Sequence, residues 1–193
     1  MTEAHPEQRR MTISDPQVMR ALAHPARISI MEYLSTRADG ATATESAEIV
    51  GLSPSATSYH LRALAKFGLV EPAPNRGDAR ERVWRTVGSG WLVDADRAAG
   101  PETRAAERTL VEAHMARDLE RTRDWLRRVV DEPDEWYDAA LLSDSLLLLT
   151  AEELVELNRA VLSLFEPFRQ RSRPSPPAGA RSVSVQYRSV PLA

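Results

Sequence analysis

Gly51-Leu-Ser-Pro-Ser-Ala-Thr-Ser-Tyr-His-Leu-Arg-Ala-Leu-Ala-Lys-Phe-Gly-Leu-Val70 is the stretch from which the rest of the chain is read. Ser53 is a strong helix N-cap, and Pro54 suits the first helical position, where a missing N–H costs nothing. Thr57, Leu61 and Leu64 follow at intervals of four and three and so share one helix face. Ser55, Ser58, Tyr59 and Arg62 fall mostly on other faces, free to reach outward. Gly68 stops the helix and a strand begins at once. Upstream, Thr42-Ala-Thr-Glu45 fits a capping box opening a helix that ends near Val50. Two helices joined at Gly51-Leu52-Ser53 make a helix-turn-helix.

Leu69–Ala73 and Glu81–Val87 read as two strands, and Pro74-Asn-Arg-Gly-Asp78 between them as a turn-forming tip. This hairpin adds a wing. On the other side, Asp15-Pro16 starts a short helix reaching about Ala23, and Pro25 opens a second that ends before Gly40. His24, just before Pro25, reads as a local cap. Residues 1–12 read as a flexible arm, and 13–92 as a winged helix-turn-helix domain.

Pro101–Asp131 reads as one long helix, about 45 Å at 1.5 Å per residue. Val111, Met115, Leu119, Thr122, Leu126 and Val129 recur at intervals of four, four, three, four and three and form a seam, with Trp125 beside it. So long a helix cannot be buried against so small a domain, and a partner helix is the economical explanation. Val111, Met115, Leu119, Leu126 and Val129 are therefore the expected dimerisation residues, within a segment 93–131.

Pro133 breaks this pattern, and Tyr137–Leu149 is ambiguous between helix and strand, with Leu146–Leu149 a short buried run. Thr150-Ala-Glu-Glu153 is a second capping box. It opens a helix with Leu154, Leu157, Val161, Leu164, Phe165 and Phe168 on one face. After a Pro-rich linker, Arg173–Gly179, the strict alternation of Ser182–Arg188 predicts a half-buried strand pairing with Leu146–Leu149. Residues 132–193 are thus expected to form a small α/β cap, regulatory or dimer-supporting. The expected fold class is mainly α (α+β), with a winged helix-turn-helix domain, a long dimerisation helix and this cap.

The 193 residues are 42% hydrophobic, enough for a real core. Met1–Arg10 is polar throughout and no apolar run could span a membrane, so the expectation is a cytoplasmic protein without membrane partners. The absence of cysteine removes disulfides and thiolate metal chemistry. The net charge of −3 hides a split. Residues 11–92 carry nine basic and eight acidic side chains, and residues 93–193 carry 14 and 18. The recognition segment Ser53–Gly68 has Arg62 and Lys66 and no acid, so the acidic total is compatible with nucleic-acid binding. Lys66 stands alone beside 24 arginines, a pattern read as the codon bias of a GC-rich bacterial genome.

Leu22-Ala-His-Pro-Ala-Arg-Ile28, Leu52-Ser53, Ser58-Tyr-His-Leu61, Leu64 and Gly68-Leu-Val70 resemble the ArsR/SmtB-type winged-helix repressors, over roughly Asp15–Val87. The resemblance implies a dimeric bacterial repressor that binds a palindromic operator and leaves it when a signal arrives. It does not carry the metal switch. The Cys-x-Cys of metal-sensing members would fall in the third helix, where Thr44-Glu-Ser-Ala-Glu-Ile-Val50 has no thiol. In the long helix only His114 and Asp118 stand at ligand spacing, and two ligands do not make a site. No metal and no cofactor are expected.

The expected DNA contacts are Ser53, Ser55, Ser58, Tyr59, His60 and Arg62 on the recognition helix 53–68, and Arg76, Arg80 and Arg82 on the wing 74–82. Short hydroxyls near a helix N-terminus approach phosphates and bases closely, and Arg62 can fork onto guanine. His60 either touches phosphate or packs at the domain edge. Trp125, Trp136 and Tyr137 either line an aromatic pocket for a small-molecule effector or belong to the core; a partner protein could equally be the signal. Ten acids against Arg159 alone between Asp131 and Glu166 read as a solvated surface. No Gly-rich phosphate loop, nucleophile elbow or supported carboxylate pair is present, so no enzyme is expected. The expected function is DNA-binding transcriptional regulation by a homodimeric repressor on double-stranded DNA. The alternative is a winged-helix protein–protein interaction module with weak or no DNA binding.

Overall fold

The computed structural model describes residues 11–37, 39–74, 81–88, 91–93, 96, 98–169 and 177–192. The elements are β1 (Met11–Ile13), α1 (Pro16–Leu22), α2 (Pro25–Ser35), β2 (Ala41–Thr42), α3 (Ala43–Val50), α4 (Pro54–Lys66), β3 (Val70–Ala73), β4 (Val83–Thr86), β5 (Trp91–Val93), α5 (Pro101–Arg128), a 3-10 turn (Val129–Asp131), α6 (Asp134–Ala139) and α7 (Ala151–Arg169). The fold is mainly helical with a small antiparallel three-stranded sheet. Contacts divide it into two compact units, one drawn from Met1–Met115 with Arg171–Ala180, the other from Ala116–Gln170 with Arg181–Ala193.

In the first unit α1 to α4 each start where a side chain satisfies a free amide. Asp15 accepts from the Gln17 N–H at 2.7 Å. His24 accepts through Nδ1 from the Ala26 N–H at 3.2 Å. Thr42 and Glu45 cap each other's backbone reciprocally, at 2.7 and 3.1 Å. Ser53 accepts from the Ala56 N–H at 3.2 Å and opens α4. Gly51 then turns the chain from α3 to α4 in the left-handed region, at φ +69°.

These helices close on one core of Ile13, Met19, Leu22, Ile30, Leu34, Leu61, Leu64, Leu69, Val70, Trp84, Ala106 and Leu110. Thr57, Leu61 and Leu64, the predicted inner face of α4, are fully buried. The sheet runs β2-β4-β3 with both pairings antiparallel, and Val70 faces Thr86 while Ala73 faces Val83. Gly40, at φ +70°, leads into β2, and a Cβ there would meet the Trp84 carbonyl oxygen at 2.2 Å.

Met11 and Thr12 were assigned to a loose arm, but with Ile13 they form β1, which pairs in parallel with β5, Met11 opposite Trp91. The pairing ties Ile13 into the core at 2% exposure. A three-residue strand held by a partner 80 positions away leaves no periodicity to read.

The second unit differs more from expectation. The long helix ends at Arg128 and its last turn is 3-10, so Val129 lies outside the α-helix. Only α6 is regular between Pro133 and α7. Leu146–Leu149, expected to be a buried run, is exposed, Leu148 completely so. Ser182–Arg188 forms no strand and does not pair with it, so the cap has no sheet among the described residues. The alternation of Ser182–Arg188 serves side-chain docking instead: Ser184, Gln186 and Arg188 reach α5, and Tyr187 reaches α7.

The second capping box forms as expected, with Thr150 and Glu153 bonded reciprocally at 2.7 and 3.2 Å. On α7, Leu154, Leu157, Val161 and Phe165 are half-buried, while Leu164 and Phe168, on the same face, are exposed. No described residue of this unit is buried.

Candidate nucleic-acid interface

The turn Gly51–Ser53 sets α4 across α3, and burial of Thr57, Leu61 and Leu64 fixes its rotation. The same rotation turns Ser55, Tyr59, Arg62 and Lys66 outward, Tyr59 with 60% of its surface exposed. Ser53 is exposed, but its hydroxyl is engaged as the cap of α4. Ser58 is half-buried and lines a shallow open depression with Arg62, Ala43 of α3, and Glu81, Arg82 and Trp84 of the wing.

The structure thus brings Ser58, Arg62 and Arg82 together from two elements. The Arg82 guanidinium lies 5.4 Å from the Trp84 ring centre, which orients the cation without neutralising it. The acid in the depression, Glu81, accepts a hydrogen bond from the Thr44 hydroxyl at 2.8 Å. Such a site can accept a phosphate or an acceptor-rich base edge between two guanidinium groups. Trp84 and Glu81 were not singled out from sequence. Period-two spacing does put Arg82 and Trp84 on one side of a strand, and that signal was available. Arg76 and Arg80, the other expected wing contacts, lie outside the described residues.

His60 points elsewhere. Its ring is 4.7 Å from that of His24 and 5.5 Å from that of Tyr59. Burial holds its pKa below the usual histidine value, and the nearby His24 and Arg27 lower it further. Its buried Nδ1 has no hydrogen-bond partner. Burial thus disfavours the protonated ring, which packs against His24 at the start of α2.

Of the expected dimer residues, Val111, Met115, Leu119 and Leu126 lie exposed on α5, and Val129 is half-buried in the 3-10 turn. Trp125 is half-buried on α5, and Tyr137 is exposed. Trp136 is covered by Arg181, whose guanidinium stands 4.6 Å from the ring centre and binds Glu132 twice, at 2.7 and 3.2 Å. Asp118 pairs with Arg121 and Arg188, so its carboxylate is committed to cations. Among the described residues no group of three or more His, Asp or Glu side chains could hold a metal, and no helix is long and apolar enough to cross a membrane.

Residues 22–73 match the family model described as a helix-turn-helix domain. No curated protein matches. Among solved structures, a single-substitution mutant of ZitR from Lactococcus lactis is 13% identical, with 86% of this chain and 82% of that one covered at a TM-score of 0.32. A double mutant of the same protein in apo form is 16% identical, with 79% and 87% covered, also at 0.32. At that score the likeness carries no functional weight. The domain match runs from the end of α1 through β3 and includes Ala43, Ser58 and Arg62 of the depression. The chain carries a helix-turn-helix domain over residues 22–73.

Proposed function

We propose that the chain is a homodimeric transcriptional repressor of the ArsR type, in which α4 enters the major groove of a palindromic operator and the wing braces the flanking backbone. The observation that carries this reading is the convergence of Ser58, Arg62 and Arg82 on one open depression. It lies on the side of α4 away from Leu61 and Leu64, where a duplex has access. Ser55 and Tyr59 extend the same exposed surface toward the helix N-terminus, where backbone amides favour phosphate. Two copies related by a two-fold axis would read half-sites about one helical turn apart, or a small multiple of that.

The dimer is supported by the second unit, in which no described residue is buried. Helices α5 and α7 expose Val111, Met115, Leu119, Leu126, Val155, Leu164 and Phe168. A helical unit without a core of its own becomes stable when a second copy supplies one.

The test is recovery of genomic fragments bound by the purified protein, followed by titration of the enriched fragment at several salt concentrations. An inverted-repeat site, bound with an affinity that falls steeply as salt rises, is the expected result. Absence of binding at every salt concentration would instead favour a winged helix used for protein–protein contact.

A further inference from the structure

The segment Arg181–Ser189 is held by its side chains alone, Ser184, Gln186 and Arg188 on α5 and Tyr187 and Ser189 on α7. Arg121 donates to the Ser184 hydroxyl at 3.5 Å, the Gln186 amide donates to the Asp118 carbonyl at 3.4 Å, and Arg188 pairs with the Asp118 carboxylate. On α7, Asn158 Oδ1 accepts from the Tyr187 and Ser189 hydroxyls at 2.8 and 2.7 Å. Arg181 anchors the start on Glu132 and Trp136. The backbone of this fastened segment makes no backbone hydrogen bond among the described residues, and Val183 and Val185 stand 65% exposed. A segment whose alternate side chains are fixed on two different helices, and whose N–H and C=O groups are bare, offers an edge to which a strand can add.

The same unit holds a second segment with the complementary need. Leu141–Leu149 is irregular, makes no hydrogen bond among the described residues, and exposes six leucines. A run of this composition left in water is an aggregation hazard unless something covers it. Within one chain the two segments do not pair.

We propose that they pair between two copies: Leu141–Leu149 of one protomer adds as a strand to the Arg181–Ser189 edge of the other, twice, by two-fold symmetry. This rests on the homodimer reading above and names the surface that would join the copies. Each protomer carries one edge and one arm, which is what a closed two-fold pairing requires. Arg181 and Arg188 are held by Glu132 and Asp118 of their own chain, which leaves the fit of arm to edge to backbone pairing and apolar area. The area suffices. At roughly 100 Å² for each large apolar side chain, about eight such residues reach the roughly 800 Å² per partner of a standard interface. The arm and the exposed residues of α5 and α7 supply more than that.

The chain has no cysteine, so introduced thiols report without background. One set of chains carries Leu146→Cys, Leu147→Cys or Leu148→Cys with one tag; another carries Val183→Cys or Val185→Cys with a second tag. After coexpression and mild oxidation, a disulfide-linked dimer bearing both tags is expected for at least one combination. A dimer in light scattering with no mixed disulfide in any combination would overturn the strand exchange and leave the homodimer standing. So would linkage between two Val185→Cys chains alone, or an internal disulfide in one chain carrying both substitutions. A monomer at every concentration would overturn both readings. Amide exchange on the unmodified protein gives a second readout. Protection over Leu146–Leu149 that vanishes on dilution to monomer is expected, and its absence in the dimer would sink the pairing.

Discussion

Arg62 and Arg82 reach one depression from different elements, and the difference predicts different losses. Arg62 sits on the helix proposed to enter the groove, so Arg62→Ala is expected to weaken operator binding by about 1–3 kcal/mol and to relax specificity at one base pair. Arg62→Lys should recover little of that if the guanidinium forks onto a base edge. Both are read by fluorescence anisotropy on matched and singly mismatched sites, and unchanged binding by Arg62→Ala would displace α4 from the groove. Gly40 is constrained for another reason. Its φ of +70° and the 2.2 Å approach of a Cβ to the Trp84 carbonyl make Gly40→Ala both strained and overlapping. A loss of about 1–3 kcal/mol in denaturant unfolding is expected. His60 predicts a pH effect. Its folded-state pKa lies below the ordinary 6.5, so below that pH the unfolded chain binds the proton more readily. The stability it contributes is complete above about pH 6.5 and is lost as pH falls through the lowered value. Thermal unfolding of the parent chain between pH 5 and 8 should show this slope, and His60→Gln should flatten it.

At the scale of elements, α4 stands on Ser53, whose hydroxyl holds the Ala56 amide. Ser53→Ala is expected to cost about 1 kcal/mol of stability in chemical unfolding, with operator affinity falling because the helix N-terminus frays. Starts of this kind were legible in the sequence, as were the inner face of α4 and the wing strands. Caps act over three residues and helix faces over four, so the cause and its trace are neighbours in the chain. The β1–β5 pair was not legible, because Met11–Ile13 is a strand only by virtue of Trp91–Val93. The alternation in Ser182–Arg188 was visible but misassigned. Period two shows that successive side chains face opposite ways; it does not show that a neighbouring strand exists. The candidate site divides along the same line. Ser58 and Arg62 follow from the register of α4, whereas their meeting with Arg82, and the turning of His60 toward His24, depend on contacts between elements that no local pattern records.

For the whole molecule, stability and assembly become one question. The first unit has a continuous core from Ile13 to Leu110, while the second has no buried residue among those described. If a second copy supplies the missing contacts, unfolding is coupled to dissociation and the midpoint depends on protein concentration. A hundredfold rise in concentration then adds about 2.7 kcal/mol per dimer, which for a chain of this size raises the midpoint by several degrees. Calorimetry of the full chain at about 1 and 100 μM should show that shift. Leu119→Asp, which places a charge among the exposed apolar residues of α5, should abolish it and lower the midpoint at both concentrations. A midpoint independent of concentration, with light scattering at the monomer mass, would mean that the second unit is stabilised some other way. The two-fold geometry proposed for operator binding would then lose its physical basis.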